Sequence, residues 1–174
     1  MPKRSSSSRR LKESLSGVDG LPMTLVITMI VLAITVPLVF GSLRIYDRSR
    51  TETNLQAEID SFISMVQMVY TSGPGNSVQI NFNAANGGLT TIDSVMFGDV
   101  PGGAMASVIR YTIQGRQEAM VLIESPNVPM LSMDNSTFLI SSGSYTIIVE
   151  CESGQYDLNG DGFYSDTYVC LSLA

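Results

Sequence analysis

Histidine is absent from the 174 residues, cysteine occurs twice, and lysine is confined to Lys3 and Lys12. Without histidine there is no Ser-His-Asp or Cys-His chemistry, and the commonest transition-metal ligand is missing. Two cysteines without histidine do not make a zinc site either. The GPGN and GDVPGG segments lack the lysine of a phosphate-binding loop. Carboxylate pairs such as Glu150 with Glu152, or Glu118 with Glu124, stand in no context that separates them from solvated surface. The sequence therefore predicts a protein that is not an enzyme. One more thing is missing locally: from Gly20 to Gly41, GLPMTLVITMIVLAITVPLVFG, there is no charged residue.

A charge-free apolar run of about twenty residues has the length to cross a bilayer's hydrocarbon core as a helix. Charge is divided unevenly around it. Residues 1–17 carry five basic residues against Glu13, a net of +4, and the rest carries five arginines against fifteen acids, a net of −10. Positive charge just before an apolar span holds that end in the cytoplasm, so the C-terminal part is placed outside. An acidic C-terminal part argues against a nucleic-acid partner for the RSSSSRR run.

Read in order, residues 1–20 form a basic leader, with residues 1–16 expected to be disordered or removable. A signal peptide has a shorter apolar region followed by a small-residue cleavage site, which this sequence lacks. Asp19 is placed to cap a helix and Pro22 to fall in its first turn. Residues 21–41 form the apolar helix, in which Pro37 removes a backbone donor and Thr35 is the candidate to satisfy the freed carbonyl. Residues 42–71 continue it as an amphipathic stem. Leu55, Ile59, Phe62, Val66 and Val69 recur every three or four positions, one stripe on one helical face. That stripe suits packing onto the chain's own head or onto other copies. SGPGN at 72–76 ends the helix.

From there to residue 174 the apolar period becomes alternating, with about a hundred residues available, enough for one small domain. VQINFN, MFGDV, VIRYTI, AMVLIE, FLIS, YTIIVE and TYVCLSL read as seven short strands separated by Gly, Asn, Pro and Ser clusters. The predicted class is α+β, a long N-terminal helix packed on a C-terminal antiparallel β-sheet head. In an oxidising compartment Cys151 and Cys170 are expected to pair. Asn135, Ser136 and Thr137 form an acceptor for N-linked sugar.

The run DLNGDGFYSD is the most site-like outside the helix. Asp157, Asn159, Asp161 and Gly162 match positions one, three, five and six of a calcium loop, where oxygen ligands alternate and glycine permits the turn. Phe163 would offer its carbonyl, and Ser165 or Asp166 would complete the sphere. Position twelve is Tyr168, so the bidentate acid of an EF-hand is absent. The same residue types also make ordinary hairpin turns, and both uses stay open.

A basic leader, a small residue, an apolar helix continuing as an amphipathic stem, and a β-rich head with a C-terminal cysteine pair together resemble the type IV pilin family, particularly its archaeal members. The likeness rests on Lys12 to Gly20, Leu21 to Phe40 and the Leu55 to Val69 stem, with Pro37 about where family members carry a helix-loosening proline. The resemblance implies cleavage by a prepilin peptidase on the cytoplasmic side, between Gly17 and Val18 or between Gly20 and Leu21. The first cut leaves Pro22 at the fifth mature position and the second leaves Leu25, where bacterial members usually carry glutamate and archaeal members often do not. It further implies that helices holding Leu25, Ile30 and Pro37 bundle in a filament core. The chain would then be membrane-inserted as a precursor and exposed on the cell surface or in an extracellular filament once mature. The competing reading is a single-span anchored external binding module.

Overall fold

The computed structural model describes residues 8–154 and 167–174, with side chains from Met23 onward. The chain is α+β. One helix, α1 (Ser8–Ser72), precedes eight strands among the described residues: β1 (Ser77–Ala84), β2 (Ile92–Phe97), β3 (Val108–Ile113), β4 (Ala119–Leu122), β5 (Met130–Ser132), β6 (Phe138–Ile140), β7 (Gly143–Ser153) and β8 (Thr167–Leu173). Two compact units divide between Ile45 and Tyr46, inside α1.

The helix begins earlier than expected. Its backbone is helical from Ser8, so Asp19 and Pro22 lie inside it rather than at its start, and residues 8–16 are not irregular. Arg, Leu, Lys and Glu, which fill much of that stretch, all have high helix propensity. The far end is where the sequence places it. Gly73 adopts φ 86° and its amide bonds to the Tyr70 carbonyl at 3.1 Å, the left-handed glycine that closes many helices. The Asn76 side chain then donates to the Ser72 and Gly73 carbonyls at 2.8 and 2.9 Å, using acceptors that the helix itself leaves open.

In the second unit, Tyr46–Ala174, the stem packs on the strands through the stripe read from its spacing. Leu55, Ile59, Phe62, Val66 and Val69 are all buried, and Thr51 extends the stripe by one turn. Phe62 is its centre. Its ring lies 5.7 Å from Phe82 of β1 and 4.8 Å from Phe97 of β2, and Phe97 lies 5.8 Å from Phe138 of β6. Because β1 and β2 belong to different sheets, this aromatic cluster ties the helix to both. Aromatic pairs at such distances add about 0.5–1.5 kcal/mol each beyond burial. Polar contacts flank the stripe: Gln56 Nε2 donates to Tyr111 Oη at 3.1 Å and Gln67 Nε2 to the Glu124 carbonyl at 3.0 Å.

The strands form two four-stranded sheets, in the orders β1-β7-β8-β5 and β4-β3-β2-β6. All pairs are antiparallel except β5 with β8, so the expected antiparallel head is present, built as two sheets with one parallel pair. Two expected strands, VIRYTI and TYVCLSL, match β3 and β8 end to end. MFGDV overlaps β2 only at Met96 and Phe97. Gly98 ends β2 at φ 66°, and a Cβ there would collide with the Met130 carbonyl oxygen, so the strand cannot run on through the glycine.

Candidate functional site

In the first unit, every residue with a described side chain is exposed, from Met23 to Ile45, and the exposure continues to Tyr46. Leu25 and Ile30 keep 57% and 54% of their surface, as the outward side chains of a bare helix do. The stretch has the length and apolarity to cross a membrane. Its hydroxyls are turned inward on the helix itself: Thr28 bonds to the Thr24 carbonyl at 2.7 Å, Thr35 to Val31 at 2.8 Å and Ser42 to Leu38 at 2.9 Å. A surface so arranged presents these polar atoms satisfied, the condition for leaving water. Thr35 thereby serves the Val31 carbonyl, not that of Ala33, which faces the ring of Pro37; the expected rescue of the freed carbonyl by Thr35 is not formed. The backbone at Gly17, Val18, Gly20 and Leu21 lies within α1.

Just beyond this stretch the stem is fastened to two loops of the head. Asp47 accepts the amides of Gly88 at 3.0 Å and Leu89 at 2.8 Å, one on each carboxylate oxygen. These bonds, led by that of Leu89, hold its pKa below the ordinary carboxylate value. The fit needs glycine in the loop, since a Cβ at Gly87 would strike the Thr51 hydroxyl and the Asp47 carboxylate. Glu52 meets Arg116 of the β3–β4 turn at 3.1 Å. Arg48 reaches Gly115 of the same turn, close enough that a Cβ there would crowd its guanidinium. Sequence reading missed this fastening: Asn86-Gly87-Gly88 signals a turn, but not that an aspartate forty residues away caps it.

Beside the Asp47 contact lies a polar groove of about 460 Å³, walled by Arg50, Asn54 and Glu58 of the helix, by Asn83 of β1 and by Asn86 of the loop that follows it. A second hollow of about 260 Å³ adjoins it along Tyr46, Arg50 and Asn54.

The cysteine pairing is overturned. Both thiols are free and buried. The β7–β8 register sets Cys151 opposite Val169 and Cys170 opposite Glu150. Adjacent residues of a strand point to opposite faces, so the two sulfurs lie on opposite sides of the sheet. Cys151 sits in the main core, its thiol 3.9 Å from the Tyr70 carbonyl, whereas Cys170 packs with Leu131 and Tyr168. Burial, followed by the charge of Glu152, raises both thiol pKa values, that of Cys170 to about 11, so both stay protonated and unreactive at neutral pH.

Asn135 is exposed at φ 56° in the turn between β5 and β6, its amide bonded to the Ser132 carbonyl at 2.9 Å. That position leaves its side chain accessible for modification. Asp157, Asn159, Asp161, Phe163, Ser165 and Asp166 lie outside the described residues. Among the described residues no group of three or more His, Cys, Asp or Glu is placed to hold a metal ion.

The chain matches no protein-family model, no curated protein and no solved structure.

Proposed function

We propose that the chain is a structural subunit of an extracellular type IV pilus-like filament, assembled through its apolar N-terminal helix. The observation that carries the reading is the contrast within α1. Its stem buries Leu55, Ile59, Phe62, Val66 and Val69 against the chain's own head, and Met23–Tyr46 buries nothing. A folded domain that has already used its own stem stripe leaves the upstream helix for lipid or for other helices. Burying one large apolar side chain is worth about 1.5–3 kcal/mol, so a bundle of such helices drawn from the bilayer recovers much of what lipid provided. In this reading the precursor is held in the membrane with its N-terminus in the cytoplasm. A prepilin peptidase cuts after Gly17 or Gly20, and the β-rich head coats the outside of the filament, at the cell surface and in contact with what it adheres to. The partners are further copies of the chain, and no nucleic acid takes part.

The Asp157–Asp166 loop belongs to the same reading as a calcium-binding element of the head. Its test is a thermal melt of the full chain in detergent, with rising melting temperature in millimolar calcium expected and no shift counting against it.

Assembly is tested by Ile30→Asp in cells that make no other pilin. The head should fold, because Ile30 is exposed and belongs to the first unit, not to the one that holds the head's core. A central aspartate costs about 2.5–3.5 kcal/mol of membrane insertion, so insertion of the variant is verified by resistance to alkaline extraction. Inserted variant without filaments supports subunit contact through this face; intact filaments sink it.

A further inference from the structure

The loop between β1 and β2 carries an asparagine followed by a glycine, Asn86-Gly87, a pairing that no other described asparagine has. We propose that Asn86 is a site of spontaneous deamidation, in which the Gly87 nitrogen closes a succinimide on the Asn86 side chain, and that the isoaspartyl product releases the loop from Asp47. This chemistry depends neither on the filament nor on the membrane.

Two features of the loop favour ring closure in the folded chain. The first is access. Asn86 is exposed, and glycine brings no side chain against the forming ring. Among the described residues nothing accepts the Gly87 N–H, whereas Asp47 holds the next two amides. The second is the Ile92 amide, which donates to Asn86 Oδ1 at 2.8 Å. Negative charge gathers on that oxygen when the Gly87 nitrogen attacks Cγ, and a donor already aimed there stabilises it. Ile92 is buried and paired with Ile113, so the donor is fixed in place. Asn81 and Asn83 have no such arrangement: they lie inside β1, each is followed by a residue with a side chain, and hydroxyls of Thr146 and Ser144 are their donors. The Asp47 charge opposes loss of the Gly87 proton, but both its oxygens are bonded to amides, which offsets part of that charge.

The Gly87 nitrogen gives its proton to solvent and bonds to Cγ of Asn86; the Cγ–Nδ2 bond breaks and Nδ2 leaves as ammonia. Water then opens the ring. Addition at the side-chain carbonyl gives aspartate, and addition at the main-chain carbonyl leaves Gly87 joined through Cγ, an isoaspartate. The isoaspartyl main chain is longer by one carbon, about 1.5 Å. Gly87 has no room to absorb that length, since even a Cβ there strikes the Thr51 hydroxyl and the Asp47 carboxylate. A displacement of about half of it carries the Gly88 and Leu89 amides from 3.0 and 2.8 Å beyond hydrogen-bond range.

The test ages the full chain in detergent and mildly alkaline buffer made with heavy-oxygen water, then digests it with trypsin in ordinary water. Cuts after Arg50, Arg110 and Arg116 place Asn86 and the second Asn-Gly pair, Asn159-Gly160, in separate peptides. Asn86 should take up heavy oxygen, chiefly as isoaspartate, while Asn54, Asn76, Asn81, Asn83 and Asn135 stay amides. The aged chain should lose the whole of the melting-temperature advantage that fresh wild-type chain holds over Asp47→Asn at neutral pH, and aged Asn159→Gln should lose it equally. Asn86→Asp gains the charge without the extra main-chain carbon and keeps an oxygen for the Ile92 amide, so when fresh it should retain that advantage. Any of these results overturns the proposal: Asn86 reacts in urea but not in the folded chain; Asn86 converts with no change in the melt; fresh wild type holds no advantage over Asp47→Asn; aged Asn159→Gln keeps the advantage; or fresh Asn86→Asp melts with Asp47→Asn, which assigns the effect to charge alone.

Discussion

Phe62→Ala is the substitution that most severely tests how the stem is held to the head. The ring is fully buried and contacts aromatic rings from both sheets, Phe82 and Phe97. Truncating a buried phenylalanine costs about 3–5 kcal/mol in lost transfer energy and cavity formation, and the two lost ring contacts place this site toward the upper end. For a unit of this size each kcal/mol corresponds to roughly 3–5 °C in melting temperature, which puts the expected drop at about 12–25 °C. The control is Met68→Ala, on the same helix but 52% exposed, for which a change within about 0.5 kcal/mol is expected. Both variants are melted as full chains in the same detergent, followed by circular dichroism with reversibility checked. If Phe62→Ala and Met68→Ala shift the transition equally, the stem is not seated through this stripe and the argument fails.

The Asp47 contact yields a pH dependence. Because the bonded carboxylate has a depressed pKa in the folded chain, its stabilising contribution is complete above the ordinary aspartate range and fades as pH falls through the folded value. The wild-type chain should therefore melt above Asp47→Asn at neutral pH, with the gap narrowing as pH falls below the ordinary aspartate value of about 3.9; a gap that stays constant as pH falls below that value would contradict the assignment. The thiols give a second check. Mass tagging of the unreduced chain should label both Cys151 and Cys170 after unfolding and neither under native conditions, and an unreduced mass two hydrogen atoms short of the dithiol would restore the bridge.

Much of this architecture was legible because it depends on period. The stem stripe is a 3.6-residue pattern set by which side chains are apolar, and all five positions read from it are buried. β3 and β8 are short apolar runs rich in β-branched and aromatic residues, bounded by turn signals. Where the reading failed, the deciding information was not local. β5 is three residues, Met130–Ser132, paired in parallel to a strand nearly forty residues away, too short to show any alternation. β2 opens Ile92-Asp93-Ser94, with a register shift between Ile92 and Ser94, and Asp93-Ser94 reads as a turn. The cysteine error is one of parity: compartment argues for pairing, but only the β7–β8 register reveals that the sulfurs face opposite ways. The Asp47 and Arg50 surroundings were invisible for a similar reason, since each is completed by the loop between β1 and β2.

The central claim, that α1 is processed and shared among copies, is tested most directly by intact-mass and N-terminal mass spectrometry of the native filament fraction. The account predicts a chain beginning at Val18 or Leu21 in filaments. An uncut chain starting at Met1, confined to the membrane fraction while the same cells make filaments, would contradict it.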